Sequence, residues 1–240
     1  MIDIHGYGRR LATAIDGLVG LYVHGSLALG GFRPERSDVD VLAVVESPMS
    51  AERQSALGRE LLAVADPCPG TGLEMSVITA STASNLGDCP FEVHVATPAT
   101  VTAGAGHPGD PDLVLYAEVC RRSGIVVTGP PTEAVFGHVR RGRLIDSMLA
   151  ELEWGLASAP FEYAVLNACR ALLFAVDGSL RSKVDGGEWY LASRAGDPIV
   201  SAALARQLGD DLGHEPPRAA VEAFVGAVRR QLTSVRDGGT

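Results

Sequence analysis

The chain has 240 residues, with 29 acidic against 20 basic side chains and a formal charge of −9. At roughly 150 residues per domain, that length holds one large domain or two small ones, either able to bury a core without disulfides or a structural metal. Hydrophobic residues at 46% and charged residues at 20% exclude a disordered, collagen-like or coiled-coil chain. The acidic excess removes the broad positive field that draws proteins onto nucleic acid or anionic membrane, and favours a small cationic partner.

Near the N-terminus, Leu11, Ala14, Ile15 and Leu18 recur at amphipathic spacing and predict a helix over 7–18. A short strand-like run, 21–24, ends at Gly25-Ser26, and 39–45 is the strongest strand signal in the chain. A helix capped by Ser50 follows over 50–65, then strands over 73–78, 91–96 and 124–128. Strands interleaved with helices imply a mixed sheet flanked by helices, an α+β arrangement. The breaker Gly129-Pro130-Pro131 closes that region, and beyond it the patterns are helical: 141–157, 160–176, 186–195, 198–208 and 216–234. The chain therefore divides into a sheet domain, 1–137, and an all-helical bundle, 138–240, with the cleft of a two-domain protein as the expected small-molecule site. Cys68, Cys89, Cys120 and Cys169 lack metal-ligand spacing and read as reduced thiols. The N-terminus is too polar for a signal peptide and no apolar run approaches ~20 residues, so the expected compartment is the cytoplasm.

The chemistry concentrates in His24-Gly25-Ser26, the Gly- and Pro-containing link, and Ser37-Asp38-Val39-Asp40. Asp38 and Asp40 stand two apart at a strand start, so both carboxylates share a face. Like charges that close repel unless a cation lies between them, and magnesium suits carboxylate and phosphate oxygens. Gly25 and Ser26 offer backbone N–H groups and a hydroxyl to a polyphosphate, and Ser37 adds a second small donor. Glu74 is an acid inside the apolar run Leu73–Ile78, costly to bury unpaired, and so faces a metal or solvent. Glu92 competes for the same role, with His94 expected on its face of the strand.

Together the Gly-Ser, the spacing and the Asp-x-Asp before an apolar strand resemble the nucleotidyltransferase signature of the DNA polymerase β superfamily. Asp112-Leu113-Val114, Arg121–Pro130 with Val135-Phe136, and Tyr163–Arg170 followed by Lys183 narrow the resemblance to the aminoglycoside 3''-adenylyltransferases, the streptomycin and spectinomycin resistance enzymes. That resemblance implies an N-terminal nucleotidyltransferase domain, a C-terminal helical domain, ATP as co-substrate and two magnesium ions. It implies that Gly25, Ser26 and Ser37 hold the triphosphate and that Asp38, Asp40 and Glu74 hold the metals, with Glu74 also the general base. Arg170 and Lys183 would reach the nucleotide, a fork and a point charge suited to phosphates.

Trp154, Glu162 and Tyr163 fall in the family's drug-binding region, although a tryptophan on a bundle helix is by default core. Here the sequence departs from the family: the loop after Trp154 is about three residues shorter, Tyr163 replaces a histidine or asparagine, and a second drug-facing tryptophan is replaced near Pro98. The transfer machinery is intact, while the acceptor stays open between an aminoglycoside, another small-molecule or protein hydroxyl, and an inactive nucleotide-binding relative. Neither nucleic acid nor membrane is an expected partner. Arg140, Arg141 and Arg143 read as a solvated helix start.

Overall fold

A computed structural model describes residues 2–210 and 214–238. Two compact units divide the chain, Met1–Val139 and Arg140–Thr240. Among the described residues no helix is long and apolar enough to cross a membrane.

The first unit is built on a six-stranded sheet in the order β5-β4-β3-β2-β1-β6. The strands are β1 (Leu18–Val23), β2 (Val39–Val45), β3 (Leu73–Thr79), β4 (Val93–Ala96), β5 (Thr100–Ala103) and β6 (Ile125–Thr128). Only the β2–β3 pair is parallel; its crossover is helix α3 (Ala51–Val64), opened by Ser50, whose hydroxyl accepts from the Arg53 N–H. Alternation along the strands separates two faces. Val39, Val41, Ala43, Leu73, Met75, Val77, Val93 and Val95 pack on Tyr7 and Leu11 of α1 (Ile4–Ala12) and on Leu57 and Leu61 of α3, all buried. The other face carries Asp40, Leu42 and Val44, then Glu74, Ser76 and Ile78, and is packed in part by α4 (Ala80–Ser84) and α5 (Leu113–Ser123).

The helix read over 7–18 is shorter than its apolar pattern. It stops at Ala12, and Ala14 and Ile15 follow in a turn closed onto the carbonyls of Leu11 and Ala12. Gly17, at φ 64°, reverses the chain so that Leu18 begins β1 instead. Strand β4 begins at Val93, which leaves Glu92 outside it. The Glu92 side chain is buried and its Oε2 accepts from the Met49 N–H at 2.7 Å and the Gln54 amide at 2.9 Å, while His94 Nδ1 lies 3.0 Å from Ser76 Oγ. Glu92 thus braces the entry to α3, and it shares no face with His94.

Among the described residues the second unit has five helices: α7 (Arg141–Ser158), α8 (Phe161–Asp177), α9 (Lys183–Ser193), α10 (Pro198–Leu208) and α11 (Arg218–Gly238); a single turn, α6 (Thr132–Val135), precedes them in the first unit. The most apolar of the five, α8, packs against the other four and buries Ala164 through Cys169 and Ala171 through Phe174. It ends at Gly178 in the left-handed region, and Arg141 lays its guanidinium over the Phe174 ring while donating to the Ala175 carbonyl. The basic cluster is therefore partly a helix stop. Helix α9 starts three residues before the sequence pattern, because Ser182 and Asp185 form a reciprocal capping box. All four cysteines are free thiols, and all but Cys68 are buried.

Candidate functional site

In the first unit the acids gather on the face opposite the main core. Asp40 is the register partner of Glu74 across the parallel β2–β3 pair, which puts their Cβ atoms on one face about 5 Å apart. Both side chains are half-buried, whereas Asp38, just before β2, is exposed. Each carboxylate has a local anchor. Asp38 accepts from the Thr71 hydroxyl, and Asp40 lies against the Ser26 N–H at 3.4 Å. Glu74 Oε1 accepts from the Tyr116 hydroxyl at 2.8 Å. Among the described residues no three His, Cys, Asp or Glu side chains already form a cation cage.

Gly25 and Ser26 open the single turn α2 (Gly25–Ala28), directly beside Asp40. Gly25 has φ 57°, and a Cβ there would run into the Asp40 carboxylate; both demands select glycine. The Ser26 hydroxyl is buried and makes no hydrogen bond. Ser37 instead closes its own loop, its hydroxyl accepting from the Arg33 N–H at 3.1 Å.

Beneath this surface lies His24, 3% exposed, its backbone N–H on the Asp40 carbonyl at 2.9 Å. Burial pushes its imidazole down to about 3, only partly opposed by a hydrogen bond to the Val41 backbone, so the ring is neutral. It stacks on the Tyr116 ring at 4.7 Å. Burial first, then the charge of Glu74, hold the Tyr116 hydroxyl well above 10 and keep it a proton donor.

The helical unit gathers a second group. Tyr163 at the start of α8 donates to Glu151 Oε1 at 2.9 Å, and Arg170 engages both oxygens of the same carboxylate at 2.8 and 3.1 Å. Lys183, the first residue of α9, places its ammonium 4.2 Å from the centre of the Tyr163 ring, and Trp154 meets that ring edge-on at 5.5 Å. Trp154 is 54% exposed, so it is no core residue. Glu162 occupies the first turn of α8, half-buried.

Sequence reasoning missed Thr71, Tyr116 and Glu151. For Tyr116 a signal existed: Leu113, Val114, Ala117 and Cys120 follow a helical period, and that helix points Tyr116 at Glu74.

Residues 10–74 match the nucleotidyltransferase domain family, and residues 134–231 match the C-terminal domain of aminoglycoside adenylyltransferases. The fold is similar to that of the spectinomycin adenyltransferase AAD(9) from Enterococcus faecialis, whose crystal structure holds ATP and spectinomycin. The TM-score is 0.71 at 16% identity, over 95% of this chain and 99% of that one.

Proposed function

The chain belongs to the aminoglycoside adenylyltransferase family, and from that premise we propose that it moves AMP from ATP to a hydroxyl of a streptomycin- or spectinomycin-class antibiotic, releasing pyrophosphate. The observation that carries this reading is the pairing of Asp40 with Glu74 across parallel strands, beside a glycine turn that only Gly25 can make.

The donor set fits magnesium. Asp38, Asp40 and Glu74 offer hard carboxylate oxygens, and magnesium is normally held by a few carboxylates with substrate phosphates and water completing its shell. Two such ions, when bound, neutralise charge on the attacking and leaving oxygens of an in-line displacement. The buried Ser26 hydroxyl, without a partner in the protein, donates to a triphosphate oxygen, and Ser37 donates a second. The acceptor hydroxyl oxygen forms its bond to the α-phosphorus as the bond to the pyrophosphate oxygen breaks. Glu74 takes the hydroxyl proton. Arg170 and Lys183 contact nucleotide phosphates, and Trp154, Glu162 and Tyr163 contact the acceptor; Lys183 and Trp154 on the Tyr163 ring, with Arg170 sharing Glu151 with its hydroxyl, support treating those four as a unit.

A second reading keeps the chemistry and changes the acceptor to another small-molecule or protein hydroxyl. It is favoured by the absence, near Pro98, of the second drug-facing tryptophan. The deciding experiment measures pyrophosphate release from magnesium-ATP with streptomycin, spectinomycin and a panel of other aminoglycosides. Drug-dependent release is the expected result. Silence across the panel with ATP still bound rejects the antibiotic acceptor, and adenylylation of protein in a lysate supplied with labelled ATP then identifies the second reading.

A further inference from the structure

We propose that Tyr116 is a positioning residue that fixes the Glu74 carboxylate for proton acceptance, with the buried ring of His24 as its backing; this rests on the assignment of Glu74 as general base.

A glutamate on the open face of a sheet has a long side chain, and its terminal torsion is broad. Unanchored, it would spend its time in many orientations, few of them suited to an incoming hydroxyl. The Tyr116 hydroxyl removes that freedom at one oxygen, donating to Glu74 Oε1 at 2.8 Å, and leaves Oε2 to receive a proton. Near-attack geometry of this kind is lost with displacements of about 1 Å. The donor is itself held rigidly. Its helix, α5, is anchored by buried Leu113, Val114, Ala117 and Cys120, and its ring rests on His24, which is 3% exposed. His24 also donates its backbone N–H to the Asp40 carbonyl. One buried residue thus reaches both strand acids, Asp40 through the main chain and Glu74 through Tyr116.

The test uses the full chain in three forms: wild type, Tyr116→Phe and Glu74→Gln. The phenylalanine keeps the ring against His24 and removes only the donor. Two readouts are taken: kcat and the KM for ATP with the acceptor that supports turnover, and the carboxyl 13C resonance of Glu74 in nucleotide-free protein, identified by its loss in Glu74→Gln. Tyr116→Phe is expected to lower kcat about ten-fold, the effect of losing one hydrogen bond to a charged group. The KM for ATP and the melting temperature should stay near wild type, and the Glu74 resonance should move. An unmoved resonance overturns the positioning itself, whether or not turnover is measurable. A wild-type kcat in Tyr116→Phe, alongside an inactive Glu74→Gln, overturns its catalytic consequence. Full activity in Glu74→Gln rejects the general-base assignment instead, so the two failures are told apart.

Discussion

Lys183 sets its ammonium 4.2 Å from the centre of the Tyr163 ring, on the side chain whose hydroxyl shares Glu151 with Arg170. Arg170 and Tyr163 converge on one part-buried acid, and Lys183 and Trp154 rest on the Tyr163 ring, because α7 and α9 both pack on α8. The pair Arg170–Glu151 is only partly screened, with side chains 26% and 15% exposed. Glu151→Ala should therefore destabilise the helical unit by about 2 kcal/mol, leaving Arg170 unpaired and the Tyr163 hydroxyl without its acceptor. Trp154 and Trp189 both lie in this unit, so tryptophan fluorescence in urea measures it directly. An unchanged midpoint contradicts the bridge.

Lys183→Met tests the same group in binding. Its methionine can still pack on the Tyr163 ring but carries no charge, and a charge-assisted contact to phosphate is worth roughly 1.5–3 kcal/mol. The KM for ATP should rise by about ten-fold or more, with the fluorescence midpoint kept. Calorimetric titration with magnesium-ATP gives the same quantity without an acceptor, and wild-type affinity would remove Lys183 from the nucleotide site.

Asp40→Asn and Glu74→Gln should each cut pyrophosphate release by at least about 10³-fold, as should removal of magnesium by a chelator. Neither side chain is part of the main core, and the amides match the acids in shape, so both variants should fold. The separation lies in nucleotide binding: Asp40→Asn loses affinity for the metal complex of ATP, whereas Glu74→Gln, if it acts chiefly on the proton, keeps more of it. Turnover retained in Asp40→Asn would refute the metal assignment.

The parts of this arrangement that were legible in the sequence are those written in contiguous residues. The run Val39–Val45 is a strand from end to end, and Gly25-Ser26 with Asp38-x-Asp40 can be read because a turn and a strand start are local objects. The anchors could not be read that way. Tyr116 meets Glu74 across 42 positions and Arg170 meets Glu151 across 19, pairings that exist only once helices have packed. Strand β5 was missed for a different reason: Thr100-Val101-Thr102-Ala103 carries a single strong apolar residue, and it forms at the sheet edge by pairing with β4. Glu92 was a reasonable competitor by composition, and only the position of Gln54 on α3 shows what it holds.

Gly25→Ala should abolish transfer while costing little stability. A left-handed alanine costs about 1–2 kcal/mol, which the first unit can tolerate. Its methyl group, however, would occupy the place of the Asp40 carboxylate, and the acid must turn away from Ser26. A loss of activity of about 10²-fold or more, with a melting temperature lowered by only a few degrees, is the expected pair of results. Normal activity would mean that the Gly25–Asp40 approach has no part in catalysis.

The first unit should lose stability in mild acid, and His24 should be the cause. Its folded-state pKa is pushed down to about 3 by burial, against about 6.5 in an unfolded chain. The folded state therefore excludes a proton that the unfolded state binds. Its contribution is complete above about pH 6.5 and falls away as the pH drops toward 3, at about 1.4 kcal/mol per unit. Between pH 7.5 and 5 the loss is about 2 kcal/mol. Glu118 acts later in the same direction. Burial raises its pKa, but the hydrogen bonds of Arg121 and Arg122 outweigh that and hold it below the ordinary carboxylate value. Its contribution is whole above about pH 4.3 and is lost only below that. His24→Phe keeps a ring against Tyr116 and cannot titrate, so it should flatten the stability profile from pH 7.5 to 5 and leave the steeper fall below pH 4.3 in place. Hydrogen exchange at the Val41 and Leu42 amides of β2 reports this unit where tryptophan cannot. An undiminished slope in His24→Phe would show that another group carries the acid sensitivity.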